Sequence, residues 1–170
     1  MGNPINPFII GGQMYVHADH VLMLTPGAGP NAGQPWRTKG AKSIDAKNEG
    51  KAIVAKGGTI VPVAIAMGET EGSFTLGFDV MQFSIDYLAY CGDGAQRMTH
   101  QGQLIFTRPS VAPVTFYMID MIIEKGFGVK SDAGAQPSDE FSGKMRLMEI
   151  MAKGKRINPF RLPNGSAIQT

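Results

Sequence analysis

Residues 57–74, GGTIVPVAIAMGETEGSF, hold the most regular patterning in the chain and no visible chemistry. Val61, Val63, Ile65 and Met67 alternate with Ile60, Pro62, Ala64 and Ala66. Further on, Gly72, Phe74, Leu76 and Phe78 alternate with Ser73, Thr75 and Gly77. A period of two belongs to strands, so the segment reads as two short strands around a charged turn, GETEG, the second strand having one buried and one wet face.

Just downstream the period changes. Asp79 with Gln82 three residues later makes a capping-box pattern. Met81, Ile85 and Leu88 then share one side, with Phe83, Tyr87 and Tyr90 beside it, and Gly92 is a C-terminal stop. The spacing predicts a helix over 80–91. Beyond it, 103–108, 114–124 and 141–151 read as strands, with 126–140 as a loop and Lys153-Gly154-Lys155-Arg156 as a tight basic turn opening a C-terminal tail, 152–170. The 114–124 strand is apolar on both faces and needs a partner for Asp120 if that residue is buried.

Upstream of the opening stretch, 36–58 reads as a long polar loop without sustained periodicity. It holds Trp36, the single tryptophan, and Arg37, Lys39, Lys42, Lys47, Lys51 and Lys56 against only Asp45 and Glu49. A polar excursion of this length inside one domain commonly has a task. Residues 13–16 and 21–24 are apolar runs around a short polar loop, a hairpin pattern. Residues 25–35 are rich in Gly and Pro and read as loop, and 1–12 as an irregular arm. The tetrapeptide INPF occurs at 5–8 and 157–160, but the flanking residues differ, so it is no repeat.

A chain of 170 residues suits one domain. Its 18% charged residues, 22 Gly and 11 Pro favour a β-rich, turn-rich fold with surface covered by partners. A net charge of +2 is too small a bias to imply nucleic-acid binding, and a single cysteine, Cys91, excludes an internal disulfide framework. No secretory pattern opens the sequence and no apolar run approaches the ~20 residues of a membrane helix, so a soluble, intracellular start is expected.

Catalytic patterns find little support. His17, His20 and His100 lack the spacing of a metal site. The Gly-rich run at 27–33 has no Gly-Lys-Ser/Thr ending to hold a phosphate. Cys91 falls at a helix C-terminus, where the dipole raises rather than lowers a thiol pKa. Ser73 sits mid-strand without a nucleophile elbow, and Glu69 and Glu71 share a turn with no apolar pocket to split their pKa values. The expectation is no catalytic residue, no metal and no cofactor. The lysines of 37–56 could grip phosphates, but beyond Trp36 there are no interleaved aromatics for base stacking.

One resemblance covers, in architecture, about residues 10–155, with the residue-level similarity concentrated in 57–91. Gly57-Gly58, Pro62-Val63, Ile65, Met67-Gly68 and Phe74, set between a long polar loop and a capped helix, resemble the tail tube proteins of contractile phages, which are related to the tubes of R-type bacteriocins and type VI secretion. The resemblance implies an α+β fold, a small β-sandwich or half-barrel with one flanking helix and a long inter-subunit loop. Its strands would join an inner barrel in the oligomer, six chains to a ring and rings stacked into a hollow tube for DNA. It implies partners: the chain itself, sheath, baseplate and tail-terminator proteins, and genomic DNA passing without specific binding, with no membrane. It also implies a place in the virion tail, assembled in the host cytoplasm. Trp36, Arg37, Lys39, Lys42, Lys47 and Lys51 would belong to the inter-ring loop, and Glu71, Ser73 and Thr75 would line the lumen. Passing DNA asks for a lumen poor in exposed basic groups. The 1–12 arm and the tail after Phe160 have no counterpart in that family. Two other readings stand beside this one, a monomeric β-barrel that binds nucleic acid through the Lys-rich loop and a small metal-dependent enzyme around His17, His20 and His100.

Overall fold

A computed structural model describes residues 8–10, 13–15, 20–55, 64–108 and 111–159. Eleven strands and one α-helix follow in the order β1 (Phe8–Ile10), β2 (Gln13–Tyr15), β3 (His20–Pro26), β4 (Trp36–Thr38), β5 (Ala41–Ala55), β6 (Ala64–Phe78), α1 (Met81–Cys91), β7 (His100–Arg108), β8 (Val111–Lys125), β9 (Asp139–Met145), β10 (Leu147–Ala152) and β11 (Lys155–Ile157). The main sheet runs β4-β3-β7-β8-β9-β6-β5, with β10 on β8 and β11 on β10, and β1-β2 form a separate pair. Every pairing among the described residues is antiparallel. This is the expected α+β open half-barrel with one helix.

The sheet turns a corner at β8. Residues 115–119 of β8 pair with β10 and residues 122–125 with β9, so one long strand serves two sheets. Against β7 the register jumps between Met118 and Met121, and Asp120 sits in the bulge with φ 51°. Bulges bend strands and raise their twist. Across the bend the Asp120 carboxylate accepts from Gln101 Nε2 and Arg146 Nε, both at 2.7 Å, and Arg146 N–H donates to the Ile119 carbonyl at 2.9 Å. That set of bonds is the partnership the sequence demanded for Asp120.

The alternation read in the opening stretch sorts the faces as expected: Phe74, Leu76 and Phe78 are buried beside Leu22, Leu24, Met121, Ile123 and Phe141. The GETEG turn, however, does not exist. β6 runs straight through it, with Glu71 opposite Glu49 and Gly72 opposite both Asn48 and Met145. A Cβ on Gly72 would stand 2.5 Å from Met145 Cγ, so glycine there lets the strand pass a packed side chain rather than turn. Residues 57–63 of that stretch lie outside the described residues.

Other expectations are corrected. Most of the 36–58 loop is strand, as β4 and β5. Its inward residues Ile44, Ala46 and Asn48 include only one large apolar side chain, and a register shift between Ala41 and Ser43 breaks the alternation. The 13–24 hairpin does not form, because β2 pairs with β1 while β3 pairs with β4 and β7. That also places a strand in the supposedly irregular arm.

The predicted 80–91 helix is present as α1, and Gly92 ends it with φ 75° and its N–H on the Leu88 carbonyl. The capping box is absent. Val80 is the N-cap, Asp79 pairs with Lys42 Nζ at 2.9 Å, Gln82 bonds Asp86 at 2.7 Å, and the Met81 N–H goes to the Pro137 carbonyl. A cation and a tertiary carbonyl have taken the two roles. The buried face is Ser84, Tyr87 and Cys91, whereas Ile85 and Leu88 are exposed. Small Ser84, its hydroxyl turned back to the Met81 carbonyl at 2.9 Å, lets the helix approach the sheet. Tyr87 lies 5.1 Å from Trp36 and 6.1 Å from Phe141, ring centroid to centroid.

Candidate assembly surfaces

Past Gly72, β6 loses β9 as a neighbour, because 146–152 swings over to β8. β5 and β6 stay paired as far as Ala55 and Ala64. Residues 49–55 and 64–71 therefore form a two-stranded ribbon reaching roughly 20 Å beyond the sheet at a strand's rise per residue. Neither outer edge of it is paired to a strand among the described residues. Free edges of this length are templates for another chain.

At the ribbon's root, Asn48 performs the work of a strand. Its Nδ2 donates to the Met148 carbonyl at 2.7 Å and its Oδ1 accepts from the Met148 N–H at 2.6 Å. Among the described residues no strand pairs with the β10 edge facing it there, since β11 reaches only Ile150–Ala152. One side chain thus ties β5 to β10 across the mouth of the half-barrel. Nothing in the local pattern marks it, because an asparagine in a polar strand looks solvated.

The outward face of β5, β6 and β9 is polar and ordered in rows. Lys47 lies opposite Ser73, which lies opposite Lys144; Asp45 lies opposite Thr75, and Thr75 opposite Ser142. Lys47 meets Glu49 at 2.7 Å and Lys144 meets Glu71 at 2.9 Å. These contacts raise the pKa values of Lys47 and Lys144 and lower that of Glu49, each chiefly through the hydrogen bond to its partner. With Asp45, Glu49, Glu71 and Glu140 against Lys47 and Lys144, carboxylates outnumber amines, and both amines are engaged. Of the other candidates, Trp36 packs against the core, Arg37 is exposed on β4, Lys39 is exposed in the β4–β5 link, Lys42 holds Asp79, and Lys51 is exposed on the ribbon.

His100 is 1% exposed; its Nε2 donates to the Ala95 carbonyl at 2.7 Å, which leaves Nδ1 to accept from the Tyr87 hydroxyl at 2.8 Å. Burial pushes the His100 pKa down and the Tyr87 pKa up. Cys91 is buried and its pKa is raised by desolvation, the direction expected from a helix C-terminus but with another cause. His17 lies outside the described residues, and among those described no group of three or more His, Cys, Asp or Glu could hold a metal ion. Among them, too, no helix is long and apolar enough to cross a membrane.

The sequence matches no protein-family model and no curated protein. Solved structures do resemble the fold. A chain of the six-fold symmetrised cryo-EM structure of the anti-feeding prophage baseplate matches with a TM-score of 0.52 and 10% identity, over 78% of this chain and 92% of that one. A chain of the sheath–tube complex of an extracellular contractile injection system, PVC, in its extended state, matches with a TM-score of 0.55 and 11% identity, over 77% and 88%. The chain shares its fold with components of contractile injection particles.

Proposed function

We propose that this chain is a structural subunit of a contractile-injection-type tail, and within that class a tail tube subunit whose copies form stacked six-membered rings around a channel for DNA. The observation that carries the reading is the two-stranded ribbon with free edges, on a fold shared with components of such particles. A lone domain gains nothing from exposing such edges, whereas a ring covers them. Sheath, baseplate and tail-terminator proteins are the further partners, and the assembled tail of a virion, built in the host cytoplasm, is the location.

The polar face of β5, β6 and β9 suits the channel wall. Glu71, Ser73 and Thr75 lie on it, and so does Lys47, which stands directly opposite Ser73. Lys47 therefore goes with the channel set and not with a contact to the next ring, its charge answered by Glu49. Arg37, Lys39 and Lys51 remain candidates for contacts between subunits. The competing nucleic-acid module draws less support, because Lys42 and Lys47 are already paired to carboxylates.

Negative-stain microscopy of the concentrated protein tests the proposal. Rings with a central hole, or hollow rods, are the expected result. Monomers at every concentration, with salt-sensitive binding of short DNA, would replace it with the nucleic-acid module.

A further inference from the structure

The loop 126–138 and the β10–β11 turn lie towards opposite ends of β8, on either side of its bend. β8 leads into the loop at Lys125 and begins opposite β10 at Thr115, next to Met151. The two features are therefore roughly 30 Å apart along the strands. At the loop end is an open groove of about 880 Å³ between the loop and the first residues of β5. Asp79, Asp132, Asp139 and Glu140 line it together with Lys42 and Lys130, and Lys42 is already held by Asp79 at 2.9 Å. The loop is braced by reciprocal Lys130–Ser138 main-chain bonds, both 2.9 Å.

A separate observation concerns Asp139. One of its oxygens accepts from the Glu140 N–H at 2.8 Å, while Oδ2 is shut off from solvent with no hydrogen-bond partner. Buried carboxylate oxygens ordinarily have a donor. That oxygen is closed to an incoming chain, but Asp132 and Glu140 are exposed, and at the far end the chain offers amines for them. Lys153 (φ 50°) and Gly154 (φ 72°) make a two-residue turn with positive φ at both positions, closed by the Ala152–Lys155 pair. Such a turn matches the twist of the strands it joins. Lys153 and Lys155 are exposed, and among the described residues neither makes an ion pair.

We infer that the groove receives the Lys153–Lys155 turn of a second copy, head to tail. The acidic groove is at one end of the subunit and the basic turn at the other, so the contact is heterologous and propagates from copy to copy. Facing copies the other way would oppose like charges. The inference rests on the stacked assembly proposed above, for which it names one stacking contact.

Zero-length carbodiimide coupling of the concentrated protein, with mass-spectrometric mapping, tests it. Expected are inter-chain amides from Lys153 or Lys155 to Asp132 or Glu140. Lys153→Glu with Lys155→Glu removes those amines and reverses their charge, so the total yield of coupled dimers should fall roughly tenfold, as it should in high salt. Mixing that variant with Asp132→Lys, Glu140→Lys protein should restore coupling between the exchanged positions. Coupled dimers joined elsewhere, no dimers, or an undiminished yield in the double variant would overturn the contact. Rods seen by microscopy without these amides would sink only this contact. The amides in open chains that never form rings would sink the tube and leave the contact standing.

Discussion

Asn48→Ala removes two hydrogen bonds and leaves the Met148 N–H and carbonyl facing a gap on an edge that no strand covers. Each part-buried main-chain group left without a partner costs about 1–2 kcal/mol, so the pair should cost about 2–4 kcal/mol. For a domain of this size that corresponds to a fall in Tm of about 5–15 °C, read by calorimetry or by circular dichroism on heating. Asn48→Asp sharpens the test. It keeps the acceptor for the Met148 N–H but sets a carboxylate oxygen against the Met148 carbonyl, where the wild type has a donor. The neutral acid is therefore favoured in the fold, and its folded pKa is raised above that of the unfolded chain. The deficit of Asn48→Asp relative to wild type should be largest near pH 7. It should shrink as the pH falls through the raised folded pKa and towards the unfolded value near ~4. A loss under about 0.5 kcal/mol in Asn48→Ala, or a pH-independent deficit in Asn48→Asp, would refute the view that this side chain stands in for a strand.

Wild-type stability should fall as the pH drops below about 6.5, because His100 is held neutral with a lowered pKa while the unfolded chain takes up the proton first. Denaturant midpoints between pH 7 and 5 should show this slope reduced in His100→Gln, and equal slopes would be the contrary result. Gly143→Ala places a Cβ 1.9 Å from the Ile122 carbonyl oxygen, a backbone atom that cannot swing aside. It should cost at least about 2 kcal/mol by urea titration, and a near-neutral effect would contradict the packing described. Glu49→Gln with Glu71→Gln frees Lys47 and Lys144 on the polar face. Affinity for short duplex DNA should rise and weaken steeply with salt, whereas unchanged affinity would mean the ion pairs do not mask that face.

Strong signals came from large side chains. Phe74, Leu76 and Phe78 declared the buried face of β6, and the change of period at residue 79 located α1 to within a residue. Small and polar residues concealed the rest. β5 turns Ile44, Ala46 and Asn48 inward, a face with one large apolar side chain, and its register shift near Lys42 breaks the count. The GETEG segment imitates a turn because glycine and charge normally mark one, whereas here Gly72 makes room for Met145. The helix showed two apolar sides, and which one packs depended on Ser84 allowing close approach. Asp79 matched a cap pattern that Lys42, distant in sequence, had pre-empted. Of the candidate surfaces, Ser73 and Thr75 were legible as an outward face from alternation alone. The pairing of Lys144 with Glu71 and the groove beside 126–138 depend on strand order, which no local pattern contains.

Trp36 is the chain's single indole; it packs half-buried against the core with its ring on Tyr87 of α1, and it does not line the groove. Its emission therefore reports whether the helix is seated on the sheet. Tyrosine excitation should pass to it from Tyr87 over 5.1 Å. The protein thus carries an optical gauge of its own folding, with which unfolding can be followed inside an assembled particle without attaching a dye.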